Sequence, residues 1–166
     1  TKQWFLNCAN LTNAELKQLD TSLTSSMEDM FTGCTELVSI DVSGWDTRKV
    51  TNMSRVFTYC EKITELDLSS WDTSNVTDMY SLFYDCSKLQ TISFPEDGAG
   101  NKWDTRKVTN MVQLFGNCYD LNPVDVSNWD TGSVTNMAYM FANCKKFDKF
   151  DLSRWDTGRV TDMAGM

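Results

Sequence analysis

Apolar positions along this chain fall into two alternating patterns. The first runs Leu37, Ile40, Val42, Trp45 and returns as Ile63, Leu66, Leu68, Trp71, as Leu121, Val124, Val126, Trp129, and as Phe147, Phe150, Leu152, Trp155. Its i, i+2 alternation predicts a short strand with both side chains on one face. The second runs Met53, Val56, Phe57, Cys60 and returns as Met79, Leu82, Phe83, Cys86, as Met111, Leu114, Phe115, Cys118, and as Met137, Met140, Phe141, Cys144. That i, i+3, i+4, i+7 spacing predicts one apolar stripe on a short helix. Asn52, Asp78, Asn110, Asn136 and Asp162 each stand just before a Met, where an N-cap side chain would accept from the orphan N–H groups of the first turn.

The two patterns form one repeat. Trp-Asp-Thr begins at Trp45, Trp71, Trp103, Trp129 and Trp155, and cysteines at Cys8, Cys34, Cys60, Cys86, Cys118 and Cys144 keep the same 26-residue beat. One interval is 32, through a six-residue insertion between Cys86 and Trp103. A weaker unit comes first, with Leu19-Asp20-Thr21 in place of the Trp triplet. A strand and a short helix cannot bury their apolar faces alone, whereas stacked neighbours can. The expected fold class is therefore α/β: a leucine-rich-repeat-like solenoid of about 26-residue strand–turn–short-helix coils, with a parallel sheet on one face. Residues 1–166 read as a single array of about six coils, the first irregular and the last truncated. The opening Thr-Lys-Gln-Trp-Phe reads as an excised piece of a longer surface protein. The periodic tryptophans are expected in the core.

Charge and composition narrow the function. The chain carries 23 acidic against 15 basic residues, a net charge of −8, so nucleic acid is not an expected partner. There is no histidine, which removes the commonest general base and transition-metal ligand. No Gly-rich phosphate loop stands out, nor an acid and base paired outside the repeating rows, so neither enzyme activity nor a cofactor or metal is expected. No apolar run approaches the ~18 residues of a membrane span. The six cysteines share one inward position, which favours a row of buried thiols over disulfides.

Three surfaces are candidates for binding. Glu15, Asp41, Asp67, Ser93, Asp125 and Asp151 lie between buried strand positions, and strands about 4.8 Å apart would align them in an acidic row. Serines two residues on (Ser43, Ser69, Ser127 and Ser153) could satisfy these carboxylates; otherwise the row is a docking strip for a basic partner or hard cations. Residues 95–102, carrying Glu96 and Asp97, replace a short link and should protrude as a loop. Tyr59, Tyr80, Tyr84, Tyr119 and Tyr139 all fall off the apolar stripe, as an outer binding patch or a shield for the helices. Threonine rows beginning at Thr47 and Thr51 are read as turn hydrogen bonding, ahead of an ice-binding plane.

The unit from Leu66 to Cys86, L-D-L-S-S-W-D-T-S-N-V-T-D-M-Y-S-L-F-Y-D-C, resembles the 26-residue repeats of BspA-like leucine-rich-repeat bacterial surface proteins. The same repeat is known in mycoplasmas as a domain of unknown function. The resemblance implies an extracellular place on a bacterial cell surface and adhesion to host molecules or other cells, and brings no catalytic residues. The expected function is an interaction module binding a protein or glycan through the sheet face or the 95–102 loop. The alternative is a passive stalk.

Overall fold

The computed structural model describes residues 3–95 and 103–166. Four three-residue strands occur there: β1 (Asn13–Glu15), β2 (Ser39–Asp41), β3 (Glu65–Asp67) and β4 (Thr91–Ser93). β1 pairs in parallel with β2, placing Ala14 beside Ile40, and β3 with β4, placing Leu66 beside Ile92. β2 touches β3 without sharing a ladder. The strands expected around Val124 and Phe150 do not form. Pro123 occupies the first strand position of its repeat and brings no N–H to a ladder.

No helix forms among the described residues. Left-handed backbone within each repeat is the reason. Arg55 and Tyr59 have φ of 55° and 60°, Ser81 and Asp85 52° and 58°, Gln113 and Asn117 56° and 62°. Asp29 with Gly33 and Tyr139 with Asn143 repeat the pair. An α-helix needs φ near −63° at every residue, so two reversals four residues apart exclude it.

Backbone donors go sideways instead. The N–H groups of Met53, Arg55, Phe57 and Tyr59 donate to the carbonyls of Asp78, Tyr80, Leu82 and Tyr84 in the next repeat, at 2.8–2.9 Å. The same comb links Met79, Ser81, Phe83 and Asp85 to Asn110, Val112, Leu114 and Gly116. Between the teeth the chain turns tightly, as where the Cys60 N–H donates to the Phe57 carbonyl at 3.1 Å. The side-chain bond expected of an N-cap does form: Asn52 Oδ1 accepts the Ser54 N–H at 2.8 Å, and Asp78 Oδ1 the Tyr80 N–H at 2.9 Å. Each leads into a turn, because an Asx turn satisfies the same donor without committing the chain to a helix. Parallel bridges run from Ser26 through Asn52, Asp78, Asn110 and Asn136 to Asp162.

The α/β leucine-rich-repeat-like solenoid expected from sequence is thus not the fold. Four short strands in two small parallel sheets, with no described helix, make a mostly loop, β-type structure. The apolar assignments nevertheless point inward, since Met53, Val56, Phe57 and Cys60 are all fully buried. Phe31, Phe57, Phe83, Phe115 and Phe141 stack with centroids 5.5–6.0 Å apart. Trp45 lies on Trp71 at 6.1 Å and Trp103 on Trp129 at 6.4 Å. Burying each such side chain is worth about 1.5–3 kcal/mol. Trp155 is only half-buried.

Cys34, Cys60, Cys86, Cys118 and Cys144 are buried free thiols. Each Sγ donates to a phenylalanine carbonyl of the preceding repeat, as Cys60 to Phe31 at 3.3 Å and Cys86 to Phe57 at 3.0 Å. Burial pushes the Cys34 thiol up to about 11 and Cys144 up to about 12, so these groups stay protonated and unreactive. Cys8, in the first repeat, is exposed.

Candidate interaction surface

Of the acidic residues singled out in the sequence, Glu15, Asp41 and Asp67 lie on strands, and Asp41, Asp67, Asp125 and Asp151 are each engaged locally. Glu15 and Asp41 face each other across β1 and β2, while Asp67 faces Ser93 across β3 and β4. Asp125 and Asp151 are exposed outside any strand. Asp41 Oδ1 accepts the Ser43 hydroxyl at 2.7 Å and its N–H at 3.1 Å. Asp67, Asp125 and Asp151 take the N–H groups of Ser69, Ser127 and Ser153 at 3.0, 2.9 and 3.1 Å. These serine bonds hold all four carboxyls below their ordinary values, against weaker repulsion between neighbours such as Asp41 and Asp67. The carboxylates serve the turns first. Glu96 and Asp97 lie outside the described residues. Among the described residues, no group of three or more Cys, Asp or Glu gathers closely enough to hold a metal ion.

The Trp-Asp-Thr turns work the same way. Asp46, Asp72, Asp104, Asp130 and Asp156 each accept the N–H two residues on. Arg48 also pairs with Asp46 and holds its carboxyl down at about 2. After the first four, the threonine is buried and bridges to the next repeat. Thr73, Thr105 and Thr131 donate to the carbonyls of Asp104, Asp130 and Asp156. Thr47 Oγ1 donates to the Asp72 carbonyl at 2.9 Å and accepts the Asp72 N–H at 2.7 Å. The second threonine row is exposed, yet Thr77, Thr109, Thr135 and Thr161 hydroxyls each donate to a threonine carbonyl of the preceding repeat. Both rows are spent on stacking.

A third strip differs, because its residues change from repeat to repeat. Following Asn52, Asp78, Asn110 and Asn136, it presents Arg55 and Tyr59, then Tyr80, Tyr84 and Asp85, then Val112, Gln113 and Asn117, then Tyr139, Ala142 and Asn143, while Ser54, Thr58, Ser81, Gly116 and Ala138 between them are buried. At one end the Arg55 guanidinium grips Asp29 through Nε at 2.6 Å and Nη2 at 2.9 Å, reaches Glu28 at 3.1 Å, and lies over the Tyr80 ring at 5.7 Å. In the middle, Tyr59 meets Tyr84 edge-on at 5.6 Å. Tyr84 Oη accepts from Asn117 Nδ2 at 3.2 Å, and Asn117 Oδ1 accepts from Asn143 Nδ2 at 2.8 Å. Burial pushes Asp85 above the ordinary carboxylate range, while the Asn117 amide offsets part of that. Of this set only the tyrosines stood out in the sequence. Asp85, Asn117 and Asn143 each stand one residue before the cysteine that closes the expected helical stripe, and Asn and Asp are poor helix formers, which was the available signal.

No curated protein and no solved structure matches the chain. A family model described as Mycoplasma protein of unknown function, DUF285, matches residues 1–97 and again residues 90–166. Between them the two matches cover every repeat, and the chain belongs to that family.

Proposed function

We propose that this chain is an interaction module displayed on a bacterial cell surface, like the BspA-like surface proteins whose 26-residue repeat its own resembles. The observation that carries the reading is the division of labour among the faces. The aspartate and threonine rows repeat the same residues and spend them on turns and stacking bonds. The tyrosine strip departs from the repeat and leaves large side chains to solvent. A rigid framework presenting one differentiated face is the form recognition surfaces take on repeat proteins.

The uniform rows also favour a second reading, a passive spacer. Beads coated with the 166-residue chain, applied to eukaryotic cell monolayers, separate the two. An interaction module gives saturable attachment that soluble chain competes away. With a net charge of −8, non-specific adhesion to anionic cell surfaces is disfavoured. Attachment no greater than that of albumin-coated beads contradicts the proposal and leaves the spacer.

A further inference from the structure

Tyr59 and Tyr139 are 42% and 48% exposed and adopt φ of 60° and 57°. At the corresponding positions of other repeats stand Gly33 and Gly165, at 75° and 63°. Positive φ suits glycine and disfavours a bulky ring, and exposure gives these rings little burial in return. Stacking alone therefore does not account for tyrosine here. The rings are also laid out as platforms. A Cβ at Gly116 would meet the Tyr84 ring at 3.0 Å, and one at Gly165 would collide with the Tyr139 ring. The Tyr84 and Tyr139 rings thus lie against glycines of the next repeat, and Tyr59 is set edge-on to Tyr84.

We infer that this strip, Tyr59, Tyr84, Asp85, Asn117, Tyr139 and Asn143, binds a neutral oligosaccharide. The inference rests on the reading of the chain as an interaction module. Sugar rings offer apolar C–H faces to aromatic planes, and hydroxyls that both donate and accept. Tyrosine supplies a large amphipathic surface at low entropic cost. The linked amides of Asn117 and Asn143, and the carboxylate of Asp85, supply donors and acceptors beside it. Charge argues against an anionic ligand, because Arg55 is committed to Asp29 and Glu28, and Lys145 lies over the Tyr119 ring at 4.7 Å. An extended peptide is disfavoured too: the N–H groups of Arg55, Tyr59, Asp85 and Asn117 are bonded to the next repeat, leaving none of them for strand addition. From Tyr59 to Asn143 the strip crosses three repeat steps of about 4.8 Å each, which suits an oligosaccharide rather than a single sugar.

The test is an NMR titration of the 15N-labelled chain with mannohexaose, cellohexaose and lacto-N-neotetraose, and with a heparin hexasaccharide as the anionic comparison. The variants are Tyr59→Gly with Tyr139→Gly, and separately Asn117→Gly. Glycine fits all three backbone positions, so the thermal midpoint should hold. The expected result is saturable shifts of the Tyr59, Tyr84, Asn117 and Asn143 amides with at least one neutral probe. Binding should weaken about tenfold or more in the double variant. Binding of no neutral probe, binding of heparin alone, or undiminished binding in both variants overturns the inference. If no neutral probe binds but bead attachment persists and is lost after trypsin treatment of the cells, the partner is a protein. In that case the interaction module stands and the oligosaccharide falls.

Discussion

Asp29 is the most buried carboxylate among the described residues, at 8% exposure, and Arg55 of the next repeat is what keeps it charged. The guanidinium's paired hydrogen bonds lower its carboxyl from the ordinary value more than desolvation raises it, and Gln3 and Thr32 add smaller help. A carboxyl lowered on folding stabilises the fold above its unfolded pKa, about 3.9. That contribution disappears as pH falls through the lower folded value. Asp29→Asn keeps a side chain that tolerates φ of 58° and removes only the charge. It should cost about 1–2 kcal/mol at pH 7, discounted because Arg55 is a third exposed. The gap between parent and variant should close as the pH is taken below about 3.9. Urea midpoints at pH 7 and across the acid limb measure this; a gap that persists in acid would show that the charge is not what Arg55 holds.

At the level of the element, the cross-repeat bond decides more than the local one. Thr47 is 1% exposed, and its hydroxyl serves both the N–H and the carbonyl of Asp72. Thr47→Val strands both groups and should cost about 2–3 kcal/mol. Thr51 is exposed, and its N–H reaches the Ser25 carbonyl at 2.9 Å without the side chain, so Thr51→Val should cost less than about 0.5 kcal/mol. Equal costs from urea denaturation would mean the buried threonine is not a bridge. The period, the inward face and the periodic tryptophans were legible because stacking forces equivalent residues into equivalent places. The helix was not. Met53, Val56, Phe57 and Cys60 sit at helical spacing, yet a chain of tight turns also brings all four inward. The contrary sign lay at Asn7, Gly33, Asp85, Asn117 and Asn143, all left-handed and all of the residue types that tolerate that conformation. The link from Tyr84 through Asn117 to Asn143 was not legible, because it depends on side-chain positions in three adjacent repeats and spans the 32-residue interval.

Across the whole molecule, stability and display have one source. From Met53 to Tyr59 and its counterparts alternate backbone donors go to the next repeat, the phenylalanines and tryptophans stack behind them, and the outer turn positions are left to vary. The central claim is that Met53 to Cys60 and its counterparts are turns bonded to the following repeat. Through-hydrogen-bond couplings between amide nitrogen and carbonyl carbon, measured by NMR on the deuterated chain, report each donor's partner directly. Correlations from Phe57 N to the Leu82 carbonyl and from Tyr59 N to the Tyr84 carbonyl, both 2.9 Å contacts, are the expected result. A correlation from Phe57 N to the Met53 carbonyl, the i→i−4 bond of an α-helix, would contradict it.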